Sequence, residues 1–167
     1  YFRYPCVPRD PLKTLSQPIR KYVTIATTRP ETLLGDTAIA YNPNDESYKD
    51  LKLYVAKVPF CNREIPFVAD EFVKPEFGTG LVKITPAHNF QDFEVGQRHS
   101  LPSISIIDKK GLIFGTNTEF DGMYKTKVRK LIVEKLKNQG LFDKETPYTT
   151  TISKCYRSGD IIEPMIS

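Results

Sequence analysis

Short apolar runs dominate this chain, and nearly every one ends at a turn former. Residues 21–28 (KYVTIATT), 37–41 (TAIAY), 51–60 (LKLYVAKVPF), 64–70 (EIPFVAD) and 81–85 (LVKIT) are β-branched or alternating, which predicts strands. CNR at 61–63 reads as the hairpin turn between the third and fourth, and NPND after Tyr41 closes the second. SISIID (103–108) and GLIFGT (111–116) predict one more strand pair bent at KKG, and the segment from residue 148 predicts two further strands around Ser158-Gly159-Asp160. Helical spacing is rarer. A short helix is expected around residues 89–99, and a long one over residues 123–140, where Tyr124, Val128, Leu131, Ile132 and Leu136 share a face and Gly140 stands where a left-handed residue ends a helix. Many short strands and few helices predict an α+β, mainly β fold: an antiparallel or mixed β-barrel with peripheral helices.

Residues 1–20 pass from YFRY into a proline-rich stretch and are expected to be a connection, as are residues 156–167. YFRYP begins as if in mid-strand and IIEPMIS stops in an apolar run, so the 167 residues are expected to be one domain cut from a longer chain. No apolar run approaches the roughly 20 residues that span a bilayer, and the first residues lack the apolar core of a signal peptide, so no membrane partner is expected. Cys6, Cys61 and Cys155 are odd in number and far apart, which argues against a disulfide framework or a zinc site and for a reducing compartment. A cytoplasmic location is therefore expected, with an organelle as the alternative. The net charge of +4 permits a polyanionic partner without requiring one.

The chemistry-bearing residues gather at two strand ends. IATTRPET carries Thr27, Thr28, Arg29 and Thr32, and VKITPAHNFQD carries Lys83, Thr85, His88, Asn89 and Asp92. Taken singly, each junction has an ordinary explanation. Asn89 with Asp92 three residues on fits a helix start, Thr28 with Glu31 has capping-box spacing, and the glycines of GTG (78–80) suit a turn with positive φ. His88 and His99 have no ligand partner at metal spacing, so no metal is expected. There is no G-x-S-x-G elbow and no phosphate loop; the lysine of GTGLVKIT lies on a strand. The basic side of the long helix is either a solvated face or a track along phosphates. Taken together the two junctions are less ordinary: if their strands neighbour each other in a barrel, both open at one rim and build one concave polar site.

ATTRPETLLGDTAIAYNPND (26–45), FGTGLVKITPAHNFQDFEVGQRH (77–99) and RSGDIIEPMIS (157–167) closely resemble, in this order, the editing insertion of valyl-tRNA synthetases. The isoleucyl and leucyl enzymes carry the same insertion with different wording. TTRPET with GDTA, and a lysine in GTGLVK, resemble the valyl branch. The resemblance covers the chain from about Lys21 onward. The synthetase's own H-I-G-H and K-M-S-K-S type motifs are missing, as an excised insertion would have it. One residue departs: Asn89 stands where the family usually has Asp, which keeps a hydrogen-bonding group but removes a negative charge.

The resemblance implies hydrolysis of threonyl-tRNA(Val). A hydrophobic pocket rejects an isostere bearing an added hydroxyl only about a hundredfold, as is known for this enzyme family. A second site that buries polar groups satisfied only by a hydroxyl supplies the rest. The implied roles are Asp92 for the α-ammonium of the aminoacyl group, with Lys83, Thr85 and Asn89 reading the hydroxyl. Thr27, Thr28, Arg29 and Thr32 hold the terminal adenosine and orient water. His88 is read as a junction residue beside the substrate, with a general base as the alternative. Glu31 holds its own turn. No cofactor is implied for editing, ATP serving only the synthetic domain. The implied partners are the tRNA(Val) acceptor end, mischarged threonyl-tRNA, and the synthetase catalytic domain in cis. The competing expectations are a non-catalytic tRNA 3′-end binding module, an editing domain of the isoleucyl or leucyl branch, and a purely structural insertion.

Overall fold

A computed structural model describes residues 1–14, 19–61 and 63–145. The strands expected around Ser158-Gly159-Asp160, the third motif and Cys155 lie outside the described residues. Six strands form one mixed sheet: β1 (Phe2–Pro8), β2 (Tyr22–Ile25), β3 (Ala38–Tyr41), β4 (Tyr54–Lys57), β5 (Glu64–Ala69) and β6 (Leu81–Ile84). Their spatial order is β2-β1-β4-β5-β3-β6. The edge strands β2 and β6 come into contact, and the Thr79 hydroxyl, just ahead of β6, donates to the Thr24 carbonyl of β2 at 2.6 Å. The sheet thus curls into a nearly closed barrel.

Strand direction places the site. All neighbours pair antiparallel except β3 with β5. Following the pairings round, β2, β4 and β6 run one way and β1, β3 and β5 the other. The C-terminal ends of β2 and β6 and the start of β3 therefore share a rim.

Alternation selects the barrel interior. Phe2 and Tyr4, Val23 and Ile25, Tyr54 and Ala56, and Ile65 and Phe67 are the buried positions of their strands, each pair two residues apart. β3 is buried throughout, because Ile39 and Tyr41 join the barrel core while Ala38 and Ala40 meet Val73, Ile84 and Val95 on the other face. Val95 belongs to α1 (Phe90–Arg98), which lies outside the barrel as expected. The second helix, α2 (Lys125–Asn138), buries Val128, Ile132 and Leu136 in the main core and packs against the 3₁₀ helix Pro30–Gly35. Past its end Gly140 has φ 70°, as its position in the sequence predicts.

Three expectations are corrected. Residues 2–8 are no connection: β1 sits between β2 and β4, because Phe2 and Tyr4 supply large buried side chains on one face. Residues 103–116 form no strand pair but only the bridge Ile107–Ile113, since Ile113 next hands its N–H to Met123 and Gly122 takes its carbonyl. The first part of the 51–60 run completes a 3₁₀ helix, Glu46–Leu53, before β4 begins.

Candidate functional site

β2 ends at Ile25, so Thr27, Thr28 and Arg29 lie past the strand on the rim. The Thr27 hydroxyl accepts the Arg29 N–H at 3.0 Å and turns the chain into the 3₁₀ helix. The capping box expected between Thr28 and Glu31 does not form. Arg29 occupies the cap position without a side-chain cap, and Glu31, 7% exposed, faces guanidinium groups instead: Arg29 at 3.6 Å and Arg129 of α2 at 3.3 Å. A second Arg129 contact, to the Thr28 carbonyl at 2.6 Å, ties α2 to this loop.

The other junction behaves as a helix start. Asn89 caps α1, its side chain accepting the Asp92 N–H at 3.0 Å. Asp92 reaches back to the end of β6, where its Oδ2 accepts the Thr85 N–H at 2.9 Å. His88 is 1% exposed; its Nε2 accepts the Ile106 N–H at 3.0 Å and its carbonyl accepts Arg29 Nη1 at 2.7 Å. With Nε2 so used, the imidazole acts as a structural junction, and the backbone carbonyl of the same residue holds Arg29 against the second loop.

The two junctions meet in a buried polar knot. Lys83 projects from β6, 7% exposed, and its ammonium donates to Thr32 Oγ1 at 2.8 Å, Asp36 Oδ1 at 2.7 Å and Thr85 Oγ1 at 2.9 Å. Three N–H groups therefore meet three oxygens, which is what an ammonium needs away from water. Asp36, fully buried, also accepts the Thr85 hydroxyl at 2.6 Å and, on Oδ2, the hydroxyl of Tyr4 from β1. Burial, and after it the negative charge of Asp36, drive the Tyr4 phenol well above its usual value, so it stays a neutral donor. Arg63 donates to the carbonyls of Leu34 at 2.8 Å and Asp36 at 2.5 Å, fixing the chain where it enters β3.

Asp92 differs from Asp36. Burial pushes its carboxyl up to about 6, opposed by the Thr85 N–H and the charge of Lys83 and reinforced by the charge of Asp36. Among the described residues its Oδ1 takes no hydrogen bond. A carboxylate with an oxygen to spare, desolvated beside a fixed cation, is built to accept a positively charged donor.

The matching family model is described as the editing domain of leucyl-tRNA synthetase and aligns with residues 50–137. This chain belongs to the synthetase editing-domain family. Curated relatives place it on the valyl side: it is 52% identical over 147 residues to a valine--tRNA ligase of Clostridium tetani and 46% identical over 148 residues to that of Helicobacter pylori. Each alignment takes 88% or more of this chain but only 17% of the relative's length. Solved structures agree on the fold. The GlLeuRS-CP1 crystal structure superposes with a TM-score of 0.64 at 13% identity, over 88% of this chain and all of that one. An Agrobacterium radiobacter LeuRS, described as a ternary complex with tRNA and LeuAMS, gives 0.60 at 19% identity, over 97% of this chain and 23% of that one.

In this editing domain of the valyl type, every candidate read from the two motifs lies at or behind one rim. Lys83, Thr32 and Thr85 are directly bonded together, Asp92 hangs from Thr85, and Arg29 bridges to His88. Thr27, Thr28 and Asn89 shape the backbone around them. Sequence reasoning omits three groups. Asp36 stands in GDTA, whose acid follows a turn-like stretch and offers no sign of burial. Tyr4 falls in the supposed connection. Arg129 lies on the basic helix.

Proposed function

We propose that this site hydrolyses the aminoacyl ester of threonyl-tRNA(Val). The observation that carries the reading is Asp92: a buried carboxylate with one oxygen unbonded among the described residues, held at the junction of both motifs. It pairs with the substrate's α-ammonium and so positions the ester carbonyl. Lys83 spends its three N–H groups on Thr32, Asp36 and Thr85. Its contribution is therefore a fixed positive charge and a fixed Thr85, whose N–H orients Asp92. Asn89 and the remaining lone pairs of Thr32 and Thr85 meet the threonine hydroxyl, and a valine methyl in that place leaves them unsolvated.

An aminoacyl ester is already activated and its ribose carries a neighbouring hydroxyl, so no protein nucleophile is needed. Water attacks the carbonyl carbon, the bond to the ribose oxygen breaks, and that oxygen takes the proton. The Arg29 and Thr32 N–H groups are already engaged, which leaves those of Thr28 and Glu31 as donors to the developing oxyanion. In this reading the tRNA 3′ end is the partner and the synthetase body lies in cis.

Isothermal titration with a non-hydrolysable threonyl-adenosine analogue tests the reading. Wild type binds it at least tenfold tighter than the valyl analogue or adenosine, and Asp92→Asn, which removes the partner of the α-ammonium, loses the advantage over adenosine. Equal affinity for all three ligands contradicts it and leaves a module that docks adenosine alone.

A further inference from the structure

Helix α2 packs its Lys125, Val128, Ile132 and Leu136 side inward. At about 100° per residue, Lys137, Lys130, Glu134 and Lys127 follow one another around the opposite side, and all four are exposed. Arg129 stands between the buried stripe and Lys130, at the edge that reaches the site loop through the Thr28 carbonyl and Glu31. On the far edge Lys135 is neutralised by Glu119. Among the described residues Lys127, Lys130 and Lys137 on the outer surface pair with no carboxylate, while Arg129 on the flank adjoining the site is paired with Glu31. Lys137 is held over the Phe142 ring at 4.8 Å. At the start of the helix the Lys125 N–H donates to Gly111 at 2.8 Å, which sets exposed Lys109 and Lys110 beside the same end.

The first turn is unfavourably charged for the helix itself, whereas Lys137 in its last turn suits the dipole. Its first turn contains no acid, although a helix N-terminus prefers anionic side chains. Exposed Lys127 is repelled by the positive end of the helix dipole, so dipole and side chain together present a positive end suited to an anion from outside the fold.

We propose that the outer face of α2, through Lys127, Lys130 and Lys137, carries the phosphate backbone of the RNA acceptor strand whose 3′ end enters the site at Arg29 and Asp92. This rests on the proposed RNA substrate, and it assigns the strand's path on the protein. RNA, and not an acidic protein, is the occupant the geometry favours. The charges form a run that starts at the loop where the terminal nucleotide is processed, and a strand leaving that loop meets Arg129 and then Lys130. Binding along such a run releases counterions, so affinity falls with salt in proportion to the number of phosphates contacted.

The test compares the full 167-residue chain with Lys127→Ala/Lys130→Ala/Lys137→Ala, and with Lys13→Ala/Lys49→Ala/Lys52→Ala, which removes the same charge elsewhere on the exposed surface. Alanine at exposed helix positions keeps the helix. The probe is an acceptor-stem hairpin ending in single-stranded CCA, titrated at several salt concentrations, with the threonyl-adenosine analogue as a second ligand that is too short to reach α2. The helix variant is expected to bind the hairpin about tenfold or more weakly at low salt. Its logarithmic salt slope falls by about 2, while it binds the analogue as wild type does and the control variant keeps the slope. Equal slopes for wild type and the helix variant, or equal losses in both variants, overturn the proposal. Loss of analogue binding by wild type contradicts the reading of the site instead, and the hairpin slope still decides the role of the helix.

Discussion

Asp92 and Asp36 are both buried, and they do opposite work. Asp36 is satisfied by Lys83, Thr85 and Tyr4 and anchors the knot, whereas Asp92 accepts one backbone N–H and is raised to about 6 by burial. Its folded value lies above its unfolded one, so the native state holds the proton more tightly than the unfolded chain does. The stabilisation is complete below about pH 4 and is lost as pH rises through about 6, a loss of about 3 kcal/mol. Urea unfolding at pH 4 and pH 7 should show that loss in wild type and not in Asp92→Asn. The ionised form is the one that pairs with an ammonium, so kcat/KM is expected to rise through about pH 6 and to fall again where the substrate's α-ammonium loses its proton, at about pH 8. Removing the negative charge at Asp36 with Asp36→Asn lowers the midpoint, because that charge helps to hold the Asp92 proton. A midpoint near the ordinary carboxylate value in wild type contradicts this account.

At the level of elements, β1 couples the barrel to the site. Tyr4 is fully buried and its hydroxyl reaches Asp36 from the strand between β2 and β4. Tyr4→Phe keeps the ring and leaves one carboxylate oxygen without its donor. The expected cost is about 1–3 kcal/mol, measured by denaturant unfolding, with a larger loss in deacylation than a remote variant of equal stability shows. An unchanged stability contradicts the coupling. This strand also shows where sequence patterning fails. YFRYPCVP alternates as a strand should, but its prolines read as a connection. Pro5 and Pro8 sit in β1 all the same, because pairing on both sides and the burial of Phe2 and Tyr4 outweigh two missing donors. Conversely, SISIID and GLIFGT look like strands and close only a single bridge with each other, since beyond the Phe114 N–H to the Ile106 carbonyl and the turn at 108–112 the pairing of GLIFGT passes to residues 122–124.

For the molecule as a whole, the legible part was the convergence. Two apolar strands ending in polar junctions are enough to predict one rim, and strand parity delivers it, with Lys83 bonded to Thr32 across 51 residues of chain. The identity of the bonded partners was not legible. Nothing local marks Asp36 as the deepest acid, because its burial comes from the sheet closing around it. Nor does the sequence reveal that Lys83 is fully engaged, which moves it from reading the substrate to holding the groups that do. The central claim is that this rim clasps an ammonium and a hydroxyl at once so that threonyl ester is cut and valyl ester spared. The most direct measurement is deacylation of threonyl-tRNA and valyl-tRNA side by side, by wild type and by Asp92→Ala. The account predicts release of threonine at least a hundredfold faster than valine by wild type, and a rate within a few-fold of the uncatalysed one for the variant. Equal rates for wild type and Asp92→Ala, in protein that clearly cleaves the threonyl ester, would contradict it.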